Sequence, residues 1–194
     1  MTDPSLPPDS ELVEGLRTGD PRALERLVSA YWATLVQFAD RILDGHADPQ
    51  DVVQEAFIRL WAHRERWGVD GSLRSLLYTV TRNAALDERR RSARGERAAR
   101  SADPPVPRTQ PSADAEAAEL RRAAEQAVAE LPPKRQEVFR LSREEGLTYA
   151  EIASVMGVSP QTVANQMSLA LADLRKALAP LLEPPTPESY TGTT

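Results

Sequence analysis

The sequence predicts an all-α chain, in two small helical domains joined by a proline-rich linker. Three observations carry this. Apolar residues recur at three-and-four spacing over long stretches, and no alternating apolar run marks a strand. Prolines stand at the ends of periodic segments and not inside them, as a helix interior requires. From about Gly95 to Ala113 the periodicity gives way to Pro, Ala, Ser, Arg and Gln, with Pro104, Pro105, Pro107 and Pro111 in the run. That composition reads as an extended linker, and some 20 residues at roughly 3 Å each reach about 60 Å.

The elements follow in order. Residues 1–10 are polar and proline-rich and are expected to be disordered. They have neither a basic start nor an apolar run, so no signal peptide is expected. Asp20-Pro21 is a helix start, a capping carboxylate followed by proline at the first helical position. That helix carries Leu24, Leu27, Val28, Tyr31, Leu35 and Phe38 on one side. Asp48-Pro49 repeats the signal and turns Val52, Val53, Ala56, Phe57, Leu60 and Trp61 inward. Gly68 to Gly71 is a turn, and Ser72 caps a third long helix through Leu73, Leu76, Leu77, Val80 and Leu86. After the linker, Ala115 to Leu131 and Pro133 to Arg143 form helices, followed by two short helices joined by a glycine turn. The boundaries are 11–95 for the first domain, 96–114 for the linker, 115–180 for the second domain and 181–194 for a disordered tail.

Composition excludes several function classes. The chain has no cysteine, which removes disulfides and thiolate metal sites. His46 and His63 are too isolated for a metal cluster, and no nucleophile-base pair is in view, so neither a metal, a cofactor nor an enzyme is expected. No stretch approaches the ~20 apolar residues of a membrane span, and a cytoplasmic protein without membrane insertion is expected. The net charge of −5 argues against nucleic acid as the partner of the whole surface. Yet Arg82 to Arg100 holds seven arginines against three acids. A basic stripe on an acidic chain points to one face for a polyanion and others for protein partners.

The strongest local motif is Thr148-Tyr-Ala-Glu-Ile-Ala-Ser-Val-Met-Gly-Val-Ser-Pro-Gln-Thr-Val. Thr148 and Glu151 have capping-box spacing. Ala153 is small enough for close helix approach, Gly157 suits a sharp turn, Ser159 caps the next helix with Pro160 at its first position, and Val163 is the apolar lock. The order is that of a helix-turn-helix in the C-terminal domain, although an ordinary helical hairpin shares several of these parts. From Pro160 to Ala170 its second helix has no charge and offers Gln161, Thr162, Asn165, Gln166 and Ser168 to base edges. The nearest cations are Arg175 and Lys176.

Two faces of the first domain stand out. Asp51, Gln54 and Glu55 share one helix face, a pattern suited to a basic protein surface, though by composition alone a solvated face is the more ordinary reading. Arg74, Tyr78, Arg82, Asn83, Asp87 and Arg90 recur at helical spacing with Trp67 in the preceding loop. Aromatics interleaved with basic groups make a platform for unstacked bases, while Trp67 and Tyr78 fit a core equally well.

At this point the sequence resembles the extracytoplasmic-function sigma factors of the sigma-70 superfamily. The resemblance rests on Asp48-Pro-Gln-Asp-Val-Val-Gln-Glu-Ala-Phe-Ile-Arg-Leu-Trp, on Leu76-Leu-Tyr-Thr-Val-Thr-Arg-Asn-Ala-Ala-Leu-Asp, and on Leu131-Pro-Pro-Lys-Arg-Gln-Glu-Val-Phe-Arg-Leu ahead of the helix-turn-helix, and it covers residues 11 to 180. It implies a factor that binds core RNA polymerase, at the clamp of the largest subunit and the flap, and directs promoter recognition and DNA opening. It implies Asp51, Gln54, Glu55 and Arg59 for docking, and the −10 element for Trp67, Arg74, Tyr78, Arg82, Asn83, Asp87 and Arg90. It implies the −35 element for Ser159, Gln161, Thr162, Asn165, Gln166, Ser168 and Arg175. An anti-sigma factor is the further partner it implies. The chain departs from the family's basic last helix at Ala164, Gln166, Leu169 and Ala172. A sigma-like mimic that titrates an anti-sigma factor, and a helix-turn-helix repressor, are the alternatives.

Overall fold

A computed structural model describes residues 9–66, 72–96 and 115–182. The described residues form eight α-helices and one 3-10 turn, with no strand among them. The helices are α1 Asp9–Thr18, α2 Pro21–Leu43, α3 Pro49–Ala62, α4 Leu73–Glu96, α5 Ala115–Ala129, α6 Pro133–Arg143, α7 Tyr149–Met156 and α8 Pro160–Leu182. The 3-10 turn is Arg64–Arg66. They belong to two compact units, Met1–Pro107 with Ala150–Gly157, and Arg108–Tyr149 with Val158–Thr194.

The helix starts are local chemistry. The Asp20 carboxylate accepts from the Arg22 amide at 3.0 Å, and the Asp48 carboxylate from the Gln50 amide at 2.8 Å, each ahead of a proline. The Ser72 hydroxyl accepts from the Ser75 amide at 3.1 Å and caps α4. Helix α2 stops where Asp44 turns left-handed, at φ 51°, a conformation aspartate tolerates better than most residues. The exposed end of α2 gains a second partner, since Arg89 Nη1 donates to the Ile42 carbonyl at 3.1 Å.

In the first unit α2, α3 and α4 pack on one another and α1 packs on α2. The core holds Leu27, Leu35, Phe38, Leu43, Val53, Leu60, Leu77 and Tyr78. The buried stripe of α2 is rotated from the expected one: Ala23, Leu27, Leu35, Phe38, Ala39 and Leu43 are inside, while Leu24, Val28 and Tyr31 are half-buried. On α4, Leu73, Leu77, Tyr78, Thr81, Ala84 and Ala85 are buried, with Leu76, Val80 and Leu86 on the flanks.

In the second unit α5 and α6 both pack on α8. Ala127, Leu131, Ala170 and Leu174 form a core cluster, with Val128, Phe139 and Leu178 against it. Gln136 reaches back from α6 and donates to the Val128 carbonyl at 2.8 Å, which satisfies the end of α5. Arg135 and Asp173 join α6 to α8 at 2.5 Å.

Three expectations change. Helix α1 begins at Asp9, inside the segment expected to be disordered, because Leu12 and Leu16 find a partner in α2. The last of the two short helices is 23 residues long, since its apolar repeat runs on to Leu178 and Pro180 lies only in its last turn. It therefore carries residues 181 and 182 of the expected tail. Residues Ala150–Gly157, which hold all of α7 but Tyr149, belong to the first compact unit. The Gly68–Gly71 turn, Trp67, the linker from 97 and the tail from 183 lie outside the described residues.

The α1–α2 contact is unusually close. A β-carbon on Gly15 would stand 2.8 Å from Ala23 Cβ. Gly15→Ala is therefore expected to destabilise the protein by about 1–2 kcal/mol, the overpacking cost exceeding the gain in helix propensity. Urea denaturation checks this, with exposed Glu14→Ala as a control expected within about 0.5 kcal/mol of the parent.

Candidate partner and nucleic-acid interfaces

Helix α3 presents the expected docking residues, and the structure divides them. Asp51, Glu55 and Arg59 border a polar cleft of about 450 Å³ whose other wall is Ala84, Glu88 and Arg91 of α4. Asp51 also borders, with Gln54, a broader apolar groove of about 670 Å³ between α2 and α3. Leu24, Val28, Trp32, Phe57, Ile58 and Trp61 line that groove. Asp51 thus sits on the ridge between the two.

The groove contains residues that sequence reasoning missed or placed elsewhere. Trp61, expected in the core, is half-buried, because it lies one residue past the buried Leu60 and so about 100° around the helix. The Arg64 guanidinium stands over its ring at 5.0 Å. Trp32 stacks on Phe57 with centroids 6.3 Å apart. Ile58 is 54% exposed. A signal for it existed: Asp51, Gln54, Ile58 and Trp61 follow one another at helical spacing, so an apolar pair extends the polar edge.

Helix α4 carries the expected base-reading residues, one of which the structure removes. Tyr78 is completely buried, with its ring edge-on to Phe38 at 5.0 Å. It lies between Leu77 and Thr81 on the inward stripe, so its spacing from Arg74 and Arg82 does not bring it to the surface. Asn83 is exposed, and Arg74 and Arg82 are half-buried at the flanks. Trp67 lies outside the described residues.

Charges join this helix to α3. Glu55 and Arg59 pair at 2.8 Å, Arg59 and Asp87 at 3.9 Å, and Asp87 and Arg90 at 3.3 Å. Arg91 pairs with Glu88 at 2.7 Å. Each such surface pair contributes only about 0–1 kcal/mol. Their effect is on position, since Asp87, expected at the DNA face, holds the arginine of the expected docking face.

Helix α8 sorts its residues cleanly. Val163, Met167, Ala170 and Leu174 are buried, and Gln161, Thr162, Asn165, Ser168 and Arg175 are exposed, with Gln166 half-buried. Gly157 is left-handed at φ 66° in the turn before it. The Ser159 hydroxyl accepts from the Thr162 amide at 3.1 Å, the expected cap. Gln161 Nε2 donates to Asn165 Oδ1 at 3.0 Å, and Ser168 donates to the Ala164 carbonyl at 3.0 Å. In α7, Ile152 and Ala153 are buried. Its Glu151 accepts from the Ser72 hydroxyl of the same compact unit at 2.5 Å.

Two family models match the chain, sigma-70 region 2 over residues 27–95 and sigma-70 region 4 over residues 121–174. The extracytoplasmic-function RNA polymerase sigma factor SigL of Mycobacterium tuberculosis is 32% identical over 171 residues, covering 87% of this chain and 96% of that protein. The RNA polymerase sigma-H factor of Pseudomonas aeruginosa is 29% identical over 193 residues, covering 90% and 95%. Among solved structures, CnrH in complex with the cytosolic domain of CnrY matches with a TM-score of 0.63 and 25% identity, over 90% of this chain and 99% of that one. RpoE in complex with the anti-sigma factor NepR from Bartonella quintana shares the fold, with a TM-score of 0.60 at 20% identity over 80% and 96%.

Ser159→Ala removes the cap of α8 and is expected to cost about 0.5–2 kcal/mol. Hydrogen exchange checks it, with protection falling first at the amides of residues 161 to 163.

Proposed function

The chain belongs to the extracytoplasmic-function sigma factors of the sigma-70 family, so it binds core RNA polymerase and directs it to promoters, and we propose that three helix faces divide this work. The α3 face docks on the polymerase clamp, the α4 face reads and opens the −10 element, and the α8 face reads the −35 element. The observation that carries the docking assignment is the stripe of Asp51, Gln54, Ile58 and Trp61 along the apolar groove. An acidic rim orients a basic partner helix, and the tryptophan and isoleucine provide apolar area that a solvated face has no use for. Glu55 and Arg59 line the polar cleft on the other side of Asp51 and take the partner's polar contacts there.

At the −10 element, Arg74, Arg82, Asn83, Asp87 and Arg90 are the contact residues, together with Trp67. Tyr78 supports the helix from within and leaves this set. Capturing unstacked bases offsets an unpairing cost of a few kcal/mol. Free in solution the acidic chain binds DNA weakly. On the polymerase, tethering raises the effective concentration of each reader for its element, so two weak contacts act as one specific one. Ser159, Gln161, Thr162, Asn165, Gln166, Ser168 and Arg175 supply the upstream contacts. The factor works by binding alone, in the cytoplasm. Among the described residues no helix is long and apolar enough to cross a membrane. An anti-sigma factor that covers the α3 groove would withhold the protein from polymerase, a reading supported by the structures of RpoE with the anti-sigma factor NepR and of CnrH with the cytosolic domain of CnrY.

Run-off transcription with core polymerase on fragmented genomic DNA tests the whole. Discrete starts that depend on this protein and share paired upstream elements are expected. Asp51→Arg combined with Glu55→Arg is expected to weaken core binding at least a hundredfold with helicity retained. Unchanged binding would remove the docking assignment. Asn83→Ala is expected to lower permanganate reactivity of the opened strand several-fold while upstream protection persists; normal opening would take Asn83 out of the −10 set.

A further inference from the structure

The proposed upstream reader has an unusual surface. In an α-helix each residue advances 100° and 1.5 Å. On α8 the buried residues Val163, Met167, Ala170 and Leu174 therefore mark one side, and Gln161, Thr162, Asn165 and Leu169 lie together on the opposite side. All four are exposed, Leu169 at 45%. No charged residue occurs from Pro160 to Ala172. The first cations on this side, Arg175 and Lys176, come about 21 Å along the helix from Gln161, beyond the ~12 Å width of the major groove.

Guanine is read in that groove mainly by Arg or Lys bidentate to O6 and N7, and this face has neither. Adenine is read by the amides of Asn or Gln, which accept from N6 and donate to N7. Gln161 and Asn165 supply two such amides one turn apart, and the hydrogen bond between them holds both side chains in place. That bond uses one proton of Gln161 and one lone pair of Asn165. Each amide keeps a donor and an acceptor for a base. Beside them the Thr162 methyl and the Leu169 side chain offer apolar contact, which suits the 5-methyl group of thymine.

The geometry points to a reader of consecutive A·T pairs, in which Gln161 and Asn165 read adenines, Thr162 and Leu169 touch thymine methyls, and G·C pairs lack the arginine or lysine contact that would favour them. This rests on the assignment of α8 to the upstream element and deepens it. Arg175 and Lys176 then serve the phosphates alone and carry no sequence information.

The test uses holoenzyme reconstituted from the full chain and core polymerase, on a factor-dependent promoter with its upstream element randomised. The expected outcome is selection of adjacent A·T pairs, with a change of either to G·C lowering occupancy roughly tenfold to a hundredfold. Asn165→Ala and Gln161→Ala are expected to flatten the base preference at one position each, and Asn165→Arg to turn that position towards guanine. All three replace exposed residues, and helicity by circular dichroism checks their folding. Two outcomes overturn the proposal differently. If the variants weaken occupancy by the same factor whatever the base, the amide readout fails while α8 remains the upstream reader. If they leave both occupancy and preference unchanged on a promoter that still depends on the factor, α8 is not the reader at all.

Discussion

The first unit depends on the inward stripe of α4. Leu73, Leu77, Tyr78, Thr81, Ala84 and Ala85 bury one side of a 24-residue helix that packs against α2 and α3. Burial of large side chains such as Leu77 drives this, since each contributes on the order of 1.5–3 kcal/mol. The Thr81 hydroxyl is buried without a partner, at a cost of about 1–3 kcal/mol that the surrounding packing offsets. The consequence is positional. With one side of α4 committed to the core, Asn83 is left outward and Arg90 exposed, and the α3 groove is held at a set distance from them.

Charge is managed with the same economy. The arginines of α4 do not stand as a bare stripe. Arg89 caps α2, Arg90 pairs with Asp87 and Arg91 with Glu88. Partial neutralisation lowers the attraction for phosphates in general. Helix α8 goes further, with no charge over its first three turns. Under the proposed assignment both readers bind weakly alone, and discrimination passes to the polymerase that holds them together.

Much of this was legible in advance because it is local. A capping carboxylate followed by proline starts a helix in any context, so Asp20 and Asp48 announced α2 and α3. The Ser72 and Ser159 caps are equally short-range. The motif also separated the buried Val163 from the exposed Gln161 and Asn165. It failed for Tyr78 and Trp61, where a rotation of about 100° around a helix decides between core and surface. Aromatic rings fit either side, and nothing short of the neighbouring helix settles which.

The sequence by itself determined the helical class, the order of the three motifs and the charge-free face of α8, because these follow from propensity, capping and side-chain chemistry along one strand of chain. Only the tertiary structure decided that Tyr78 belongs to the core, that Trp32, Ile58 and Trp61 open onto a groove beside Asp51, and that Asp87 holds Arg59. Those outcomes depend on which residue of another helix stands opposite. Phe38 meets Tyr78 and Trp32 meets Phe57 only after α2, α3 and α4 have packed, and no spacing within one segment encodes that meeting.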